Sequence, residues 1–312
     1  MNTPENNTTL HLIRDRKTTN SRPNARKDDR KLAIVFEGGS SHAAFGGGMV
    51  GALEEAEMLP VCDAVYGASA GALNGAWFIC ERTNANMHGW WASESMKGAI
   101  KVGNALRGKP VVNGDFLVDH IYENFTRMGF EEILASPVEY HPVATDTDTG
   151  ESVDLAPYIK DRASLKTAMK ATMRIPMLSG MPVELGGRRF IDGGMAENIP
   201  VETALAQGAT DILVLRTRRP SVELPTTHHL KQRAVARWMA RNASGAAFTW
   251  DRRNARKQEL EILMRDTPSV YQVVPPENAP KISMVGQSEK VQRQAVEMGR
   301  AQMRQVLESI GL

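Results

Sequence analysis

The sequence has few cysteines: only Cys62 and Cys80 occur in 312 residues. Two cysteines cannot form a disulfide framework for a chain of this length, and their spacing does not match that of metal ligands. A small secreted scaffold held by disulfides and a zinc-binding module are therefore excluded. We expect two reduced cysteines in the core of a cytoplasmic protein.

The sequence also lacks a long hydrophobic run. No uninterrupted apolar stretch reaches roughly 18 residues, the length that a membrane-spanning helix needs. The first thirty residues are polar and basic, and they lack the apolar centre of a signal peptide. We therefore predict that residues 1–30 form a disordered tail and that the protein stays in the cytoplasm, unless a signal-independent route exports it.

A strong imbalance of charge is absent as well. The formal net charge of +2 at pH 7 is too small to indicate a nucleic-acid partner. The basic side chains are nevertheless uneven, because residues 216–257 contain eleven Lys and Arg against two acids, together with Trp238, Phe248 and Trp250. This segment is predicted to be helical. Two interpretations stay open: a cap or face that lies peripherally on anionic membrane lipid, with the tryptophans at the interface, or a solvated surface helix.

What is present is an ordinary globular composition, with 42% hydrophobic and 24% charged residues. Residues 32–36 form a continuous apolar run, which is typical of a strand buried on both faces. Helical spacing over residues 49–59, a short strand at residues 64–66 and a second helix follow. The connections are too short for anything but parallel neighbours, so we predict an α/β fold with a mainly parallel sheet.

The remaining segments continue this alternation less regularly. Residues 84–112 are predicted to form a cap or irregular helices. Asp146 and Asp148 lie where two strands are joined by a turn, and we interpret them as turn residues rather than metal ligands. Further elements are expected at the following places: a helix at residues 161–173, a hairpin through residues 186–187, a helix at 201–207, strands at 211–216 and 270–274, and a helix at 289–309.

One serine stands in a stretch of small residues, "GASAG", between a predicted strand and a predicted helix. Gly67, Ser69 and Gly71 give the pattern G-x-S-x-G of a nucleophile elbow, in which the glycines allow close backbone approach. The turn presents the serine hydroxyl at the amino end of a helix, where a developing negative charge is favoured. Ser69 is therefore a candidate nucleophile.

Acyl chemistry at a serine also needs donors for an oxyanion and a base. The backbone amides of Gly38, Gly39 and Ser40 follow the first strand and are candidates for the oxyanion hole. A phosphate-binding loop or a simple tight turn is the alternative, although the pattern G-x-x-x-x-G-K-[ST] is absent. The candidate base is Asp192, which ends an apolar strand and is followed by Gly193 and Gly194.

Histidine is poorly placed to complete a triad. Seven histidines occur, and the last two are His228 and His229, in a basic polar segment. No histidine follows them that could serve as the late histidine of an α/β-hydrolase triad. His42, in the loop beside the elbow, is the best placed of them. A soluble carboxylesterase or thioesterase that uses a histidine base therefore remains an alternative.

Three blocks in order resemble the patatin-like phospholipase family, in its bacterial acyl-hydrolase form: "EGGSSHAAFGGGMVGALEEAEM", "GASAG" and "DGGMAENIPVETALAQGATDILVLRTR". The resemblance spans roughly residues 31–217. It implies a three-layer α/β/α sandwich, a single acyl-hydrolase domain over residues 31–312, and a lipid or other acyl ester as substrate. It further implies a dyad in which Ser69 is the nucleophile and Asp192 the general base, with no cofactor.

The glycine-rich block departs from the family pattern G-G-G-x-[RK]-G. Ser40 replaces the third glycine, His42 the basic residue and Ala43 the last glycine. A serine or alanine at a position that needs positive φ would be strained by about 1–2 kcal/mol. This departure keeps a third interpretation open, namely a catalytically silent binding or regulatory protein with the same fold.

Overall fold

The computed structural model describes residues 7–107, 109–220, 229–286 and 288–312. In these residues eight strands form one sheet. The strands β1 to β8 are Leu32–Phe36, Ala64–Ala68, Glu139–Asp146, Ser152–Asp154, Val183–Leu185, Arg188–Ile191, Asp211–Leu215 and Val270–Val273. Each strand that the sequence predicts is present within two or three residues of its expected bounds.

The sheet is mainly parallel, as predicted. Its order is β5-β6-β3-β2-β1-β7-β8, and β4 pairs with β3 outside this path. Five neighbouring strands run parallel, in the spatial order β3, β2, β1, β7 and β8. The strands β4, β5 and β6 form an antiparallel edge. The carboxyl ends of the central parallel strands β1 and β2 therefore open at one edge of the sheet, where ligands of such folds bind.

The helices flank this sheet. The helices α1 to α11 are Thr8–Thr18, Ala43–Glu55, Ala70–Ile79, Ser93–Ala99, Gly114–Phe116, Phe130–Ala135, Arg162–Thr172, Val201–Ala206, His229–Asn242, Ala247–Asp266 and Glu289–Glu308. Short 3-10 helices at Asn84–Trp90 and Val102–Arg107 and a π-helix at Leu117–Phe125 build an irregular cap. The predicted irregularity of residues 84–112 is confirmed.

The side chains of β1 show how the layers are made. Leu32, Ile34 and Phe36 pack into a core with α1, α2, α3 and α11. Ala33 and Val35 face the other way, into a smaller core with α8 and α10. Because every residue of this strand is buried, the sheet lies between two helical layers. The fold is a three-layer α/β/α sandwich.

The prediction of a disordered tail over residues 1–30 is wrong for the residues that the structure describes. Asn7 caps α1 by accepting hydrogen bonds from the first turn, and α1 buries Leu10 and Ile13 against the core. Arg16, only 1% exposed, forms ion pairs at 2.6 Å with Asp28 and with Asp63 next to β2. These contacts attach a segment of low hydropathy to the sheet. The contacts could not be predicted because the sequence of the segment is polar. Residues 1–6 lie outside the described residues.

Within the basic segment over residues 216–257, residues 216–220 are not helical, and the described residues from 229 onward are mainly helical, in α9 and the first half of α10. Residues 221–228 lie outside the described residues. Trp238 and Trp250 are partly buried against a small core that includes Ile191 and Met239, whereas Phe248 is 69% exposed. Both tryptophans therefore contribute to this core, and contact of the segment with a lipid surface stays a prediction.

Candidate active site

Ser69 lies in the sharp turn that connects β2 to α3. Its backbone angles are φ 54° and ψ −132°, an uncommon conformation for a residue with a side chain. A Cβ at Gly67 would lie 2.6 Å from Ala72 Cα, and one at Gly71 would lie 2.4 Å from the Phe36 carbonyl oxygen. The predicted reason for both glycines, close backbone approach, is confirmed, and so is the strained turn.

The structure brings Ser69 and Asp192 together from positions 123 residues apart. The Ser69 hydroxyl donates a hydrogen bond to Asp192 Oδ2 at 2.7 Å, and both side chains are about 5% exposed or less. Asp192 directly follows β6, and its other carboxylate oxygen accepts the Gly194 amide at 2.8 Å. Thr172 fixes the backbone of the serine, because its hydroxyl oxygen accepts a hydrogen bond from the Ser69 amide. Serine and carboxylate thus stand in the geometry of a nucleophile and its base.

Burial changes the acidity of this carboxyl group. Desolvation raises the pKa of Asp192 from 3.8 to about 6, and the hydrogen bonds from Ser69 and Gly194 oppose that rise. A carboxylate with this pKa is a stronger base than an exposed aspartate and is still mostly ionised at neutral pH. Its acidity therefore lies closer to the value that general-base catalysis favours.

The loop after β1 places backbone amides beside the cavity at Ser69. Gly39 and Ser40 line a cavity together with Ser69, and neither amide donates to an acceptor in the described part of the chain. The Gly38 amide instead donates to the Asn198 carbonyl at 2.9 Å, so its predicted place in the oxyanion hole is wrong. Asn198 is distant in sequence, which is why sequence reasoning could not detect this bond. Gly193 packs against the Val143 carbonyl and supports the turn after β6.

The altered positions of the glycine-rich loop differ in conformation. Ser40 has φ 50°, the left-handed region that favours glycine, so the replacement of the third glycine does impose strain. Ala43 has φ −61° and simply starts α2 in regular helical geometry. The loop keeps its backbone amides. Of the two positions that were expected to be strained, Ser40 has a strained backbone and Ala43 does not.

A buried ion pair beneath the loop was missed by the sequence analysis. Glu37, 3% exposed, accepts a hydrogen bond from Arg216 at 3.0 Å and from the Thr217 amide at 2.7 Å. Arg216 also binds Glu261 of α10. The only sequence signal is the charge of Glu37 at the end of an apolar strand. This pair joins the carboxyl ends of β1 and β7 directly before Gly38.

Two cavities meet at Ser69. One has a volume of about 140 Å³ and is mainly apolar; Leu73, Trp77 and Trp90 are among its lining residues, with side chains from the cap. The other has a volume of about 310 Å³, and Asp192 and Gly194 line it beside charged side chains of α10. Ser40, Ser69 and Ile175 belong to both. The arrangement can hold an apolar group on one side of the hydroxyl and a polar group on the other.

The alternative base His42 does not contact the dyad. Its Nδ1 lies 3.1 Å from the Gly39 carbonyl oxygen, and burial and the nearby Arg218 lower its pKa. Within the described chain no histidine forms a hydrogen bond with Ser69 or Asp192. Asp146 accepts the amides of Asp148 and Thr149, so this stretch is the predicted turn. The described residues contain no cluster of three or more His, Cys, Asp or Glu that could hold a metal ion.

Comparison with known proteins decides the family. A model of the family described as patatin-like phospholipase matches residues 34–205, more than half of the chain. The chain belongs to the patatin-like phospholipase family. The matched range contains Ser69, Asp192 and the glycine-rich loop, and it ends within α8, before α9, α10 and α11.

Relatives of this patatin-like chain carry little functional description. The uncharacterized protein YjjU of Escherichia coli is 27% identical over 224 residues, which cover 67% of this chain and 57% of that protein. The uncharacterized NTE family protein Rv2565 of Mycobacterium tuberculosis is 26% identical over 193 residues, 62% of this chain and 31% of that protein. The chain thus spans less than two thirds of the length of either relative.

A solved structure is similar as well. The crystal structure of VipD from Legionella pneumophila aligns with a TM-score of 0.39 and 13% identity, over 90% of this chain and 67% of that chain.

Among the described helices, none has both the length and the apolar character that crossing a membrane requires.

Proposed function

We propose that this protein is a serine acyl hydrolase that cleaves acyl esters of lipids through a Ser69–Asp192 dyad. The observation that carries the proposal is the 2.7 Å hydrogen bond from the Ser69 hydroxyl to the Asp192 carboxylate. Membership of the patatin-like phospholipase family supports the lipid class of substrate.

The reaction follows from the groups around the serine. Asp192 Oδ2 accepts the hydroxyl proton while Ser69 Oγ attacks the ester carbonyl carbon. The amides of Gly39 and Ser40 and the amino end of α3 donate to the oxyanion. When the carbonyl re-forms, the ester C–O bond breaks and Asp192 returns the proton to the leaving alcohol. Water then attacks the acyl-enzyme, with Asp192 again accepting a proton, and releases the acid and free Ser69.

The apolar cavity beside Ser69 suits the acyl chain of such a substrate. Trp77 and Leu73 line it, and side chains of the cap form part of its wall. Each buried methylene contributes about 0.8 kcal/mol of binding, so an acyl chain that fills the cavity favours lipid esters over acetate esters. The polar cavity on the other side of Ser69 would then receive the alcohol part.

Contact with an anionic membrane is part of this proposal. Arg233, Arg237 and Arg241 are exposed on one face of α9 at a spacing of four residues, and none pairs with a carboxylate in the described chain. Exposed Phe248 lies nearby in sequence at the start of α10. Co-sedimentation with vesicles of anionic and of neutral lipid tests this point: stronger binding to anionic vesicles supports it, and equal binding contradicts it.

An activity panel tests the proposed function. Purified protein is assayed on short and long acyl esters and on phospholipids, with Ser69→Ala and, as control, Ser93→Ala, which changes an exposed serine at the start of α4. We expect ester hydrolysis that Ser69→Ala lowers by at least a thousandfold and Ser93→Ala leaves unchanged. A folded protein that hydrolyses no ester would contradict the proposal and favour the silent binding protein.

A further inference from the structure

Two buried hydroxyl groups on the wall of the apolar cavity form no hydrogen bond with the part of the chain that the structure describes. Ser95 of α4 is 2% exposed, and Thr126, directly after the π-helix Leu117–Phe125, is 1% exposed. The same cavity contains Ser69. A buried hydroxyl without a partner is costly, and native proteins contain few of them, so two in one cavity need a physical reason.

Other buried polar side chains of this cavity are bonded to the protein. Asn74 Nδ2 donates to the Ala43 carbonyl at 2.9 Å, and Gln292 Nε2 donates to the Gly286 carbonyl at 3.3 Å. A helical serine can bond to a carbonyl of the preceding turn, but the hydroxyl of Ser95 does not. Of the described residues that line the cavity, only Ser95 and Thr126 have a buried polar side-chain atom without a partner.

Gly89 leaves room beside the Thr126 hydroxyl. A Cβ at this glycine would lie 2.8 Å from Thr126 Cγ2 and 3.6 Å from Thr126 Oγ1. Gly89 also lines the cavity, as part of the 3-10 helix Asn84–Trp90. A larger residue at position 89 would therefore crowd the threonine, whereas glycine leaves space for a bound group.

The lining of the cavity limits which group could pair with these hydroxyls. None of the described residues that line it is Asp, Glu, Lys, Arg or His, so a charged group would be desolvated there without compensation. Each protein hydroxyl has both a proton to donate and lone pairs that can accept. A hydroxyl on the ligand matches both roles, whereas a ketone can only accept. Ser95 and Thr126 line the apolar cavity and not the polar one, so the matching group belongs to the acyl chain.

We propose that Ser95 and Thr126 bind a hydroxyl group carried by the acyl chain of the substrate. The inference rests on the proposed function and narrows its substrates to esters of hydroxylated fatty acids. An unsubstituted chain would cover both protein hydroxyls with methylene groups and leave them unpaired, whereas a hydroxylated chain supplies a partner. A site that bonds a substrate hydroxyl discriminates against the analogue that lacks it for this reason.

Kinetics with matched esters test the proposal. Chromogenic esters of one medium chain length, with the hydroxyl at successive carbons or absent, are compared by the ratio of kcat/KM for the hydroxylated over the unsubstituted ester. We expect the native protein to prefer a hydroxyl at one position or at adjacent positions by about tenfold or more. In Ser95→Ala with Thr126→Val this ratio should fall to one or below. Ser93→Ala, at an exposed serine of the same helix, is the control and should keep the native ratio.

Two kinetic results would overturn the inference. One is a ratio of one or below at every hydroxyl position in the native protein, which is expected if the two hydroxyls bind only water. The other is a preference that the double variant retains. Either result leaves the proposed function in place, provided that Ser69→Ala abolishes hydrolysis of all the esters.

Binding to an inactive variant separates the inference from catalysis. Calorimetry measures the methyl esters of the same series of acids with Ser69→Ala, with and without the changes at Ser95 and Thr126. We expect a hydroxylated ester to bind about tenfold more tightly than the unsubstituted one, and the difference to disappear when both protein hydroxyls are removed. Such a difference supports the inference even if the native protein hydrolyses no ester, and equal affinities across the series overturn it even if the native protein is active.

Discussion

Glu37 and Arg216 form a buried ion pair at 3.0 Å, one residue before the loop that carries the candidate oxyanion amides. The same carboxylate accepts the Thr217 amide, so one side chain ties the end of β1 to the end of β7. The loop from Gly38 to Ser40 therefore starts from a fixed point in the core. Its strained residue, Ser40, follows within three positions, which makes the pair a positioning element for the site.

Removing this charge should destabilise the protein. Glu37→Gln leaves Arg216 with less compensation in the interior, and breaking a buried pair costs about 3–5 kcal/mol. We expect urea denaturation to show that loss in the free energy of unfolding, with a lower kcat in the folded fraction. Glu259→Gln, which breaks an exposed pair with Arg252, should cost less than about 1 kcal/mol. Equal stabilities of the two variants would show that Glu37 does not anchor the loop.

The acidity of Asp192 predicts the pH dependence of hydrolysis. The ionised carboxylate is the proposed base, and its pKa is about 6. We therefore expect kcat/KM to rise with pH, with a midpoint near that value, and to level off in the neutral range. A histidine could also titrate in this range, so the same profile is measured in His42→Gln, where the midpoint should stay in place. A midpoint near about pH 4, the ordinary value of an exposed aspartate, would contradict the burial argument.

The same shift predicts that Asp192 lowers stability at neutral pH. Its folded pKa is raised by about two pH units, so its contribution to stability is fully present below the unfolded pKa and is lost as pH rises through about 6. Asp192→Asn removes the ionisation and should raise the free energy of unfolding at about pH 8 by about 3 kcal/mol, a gain that shrinks toward about pH 4. Thermal and urea unfolding measure the difference. Asp148→Asn, at an exposed turn residue, is the control and should change the free energy of unfolding little at either pH. An effect of Asp192→Asn on the free energy of unfolding that is the same at every pH would contradict this prediction.

His42 separates the dyad from the histidine-base alternative. Its ring contacts the Gly39 carbonyl and not the serine, so His42→Gln should lower kcat/KM only severalfold, through the shape of the loop. A histidine base would instead make the same substitution cost a thousandfold or more. Steady-state kinetics on one ester distinguishes the two outcomes, with His120→Gln, at an exposed histidine of the π-helix Leu117–Phe125, as the control.

The local features of the site could be predicted because they rest on neighbouring residues. The turn at Ser69 needs small residues at Gly67 and Gly71, and those residues stand within two positions of it. Likewise, the apolar run at Leu32–Phe36 identifies a doubly buried strand without any knowledge of its partners. Such signals are short-range and survive in a single sequence.

Features that depend on distant partners could not be predicted. The Gly38 amide is occupied by a carbonyl 160 residues away, and the buried Arg16 of α1 is compensated by carboxylates in two other segments. In both cases the deciding contact is tertiary. The polar character of residues 8–18 therefore indicates disorder although the helix is packed.

The most direct test of the dyad is covalent trapping of the serine. The native protein is treated with a fluorophosphonate at pH 7, and the adduct is located by peptide mass spectrometry, with Ser69→Ala and Asp192→Asn in parallel. The Ser69–Asp192 mechanism predicts one adduct, on Ser69, whose rate of formation falls by about a thousandfold in Asp192→Asn. Labelling that persists in Ser69→Ala, or that proceeds at an equal rate in Asp192→Asn, would contradict it.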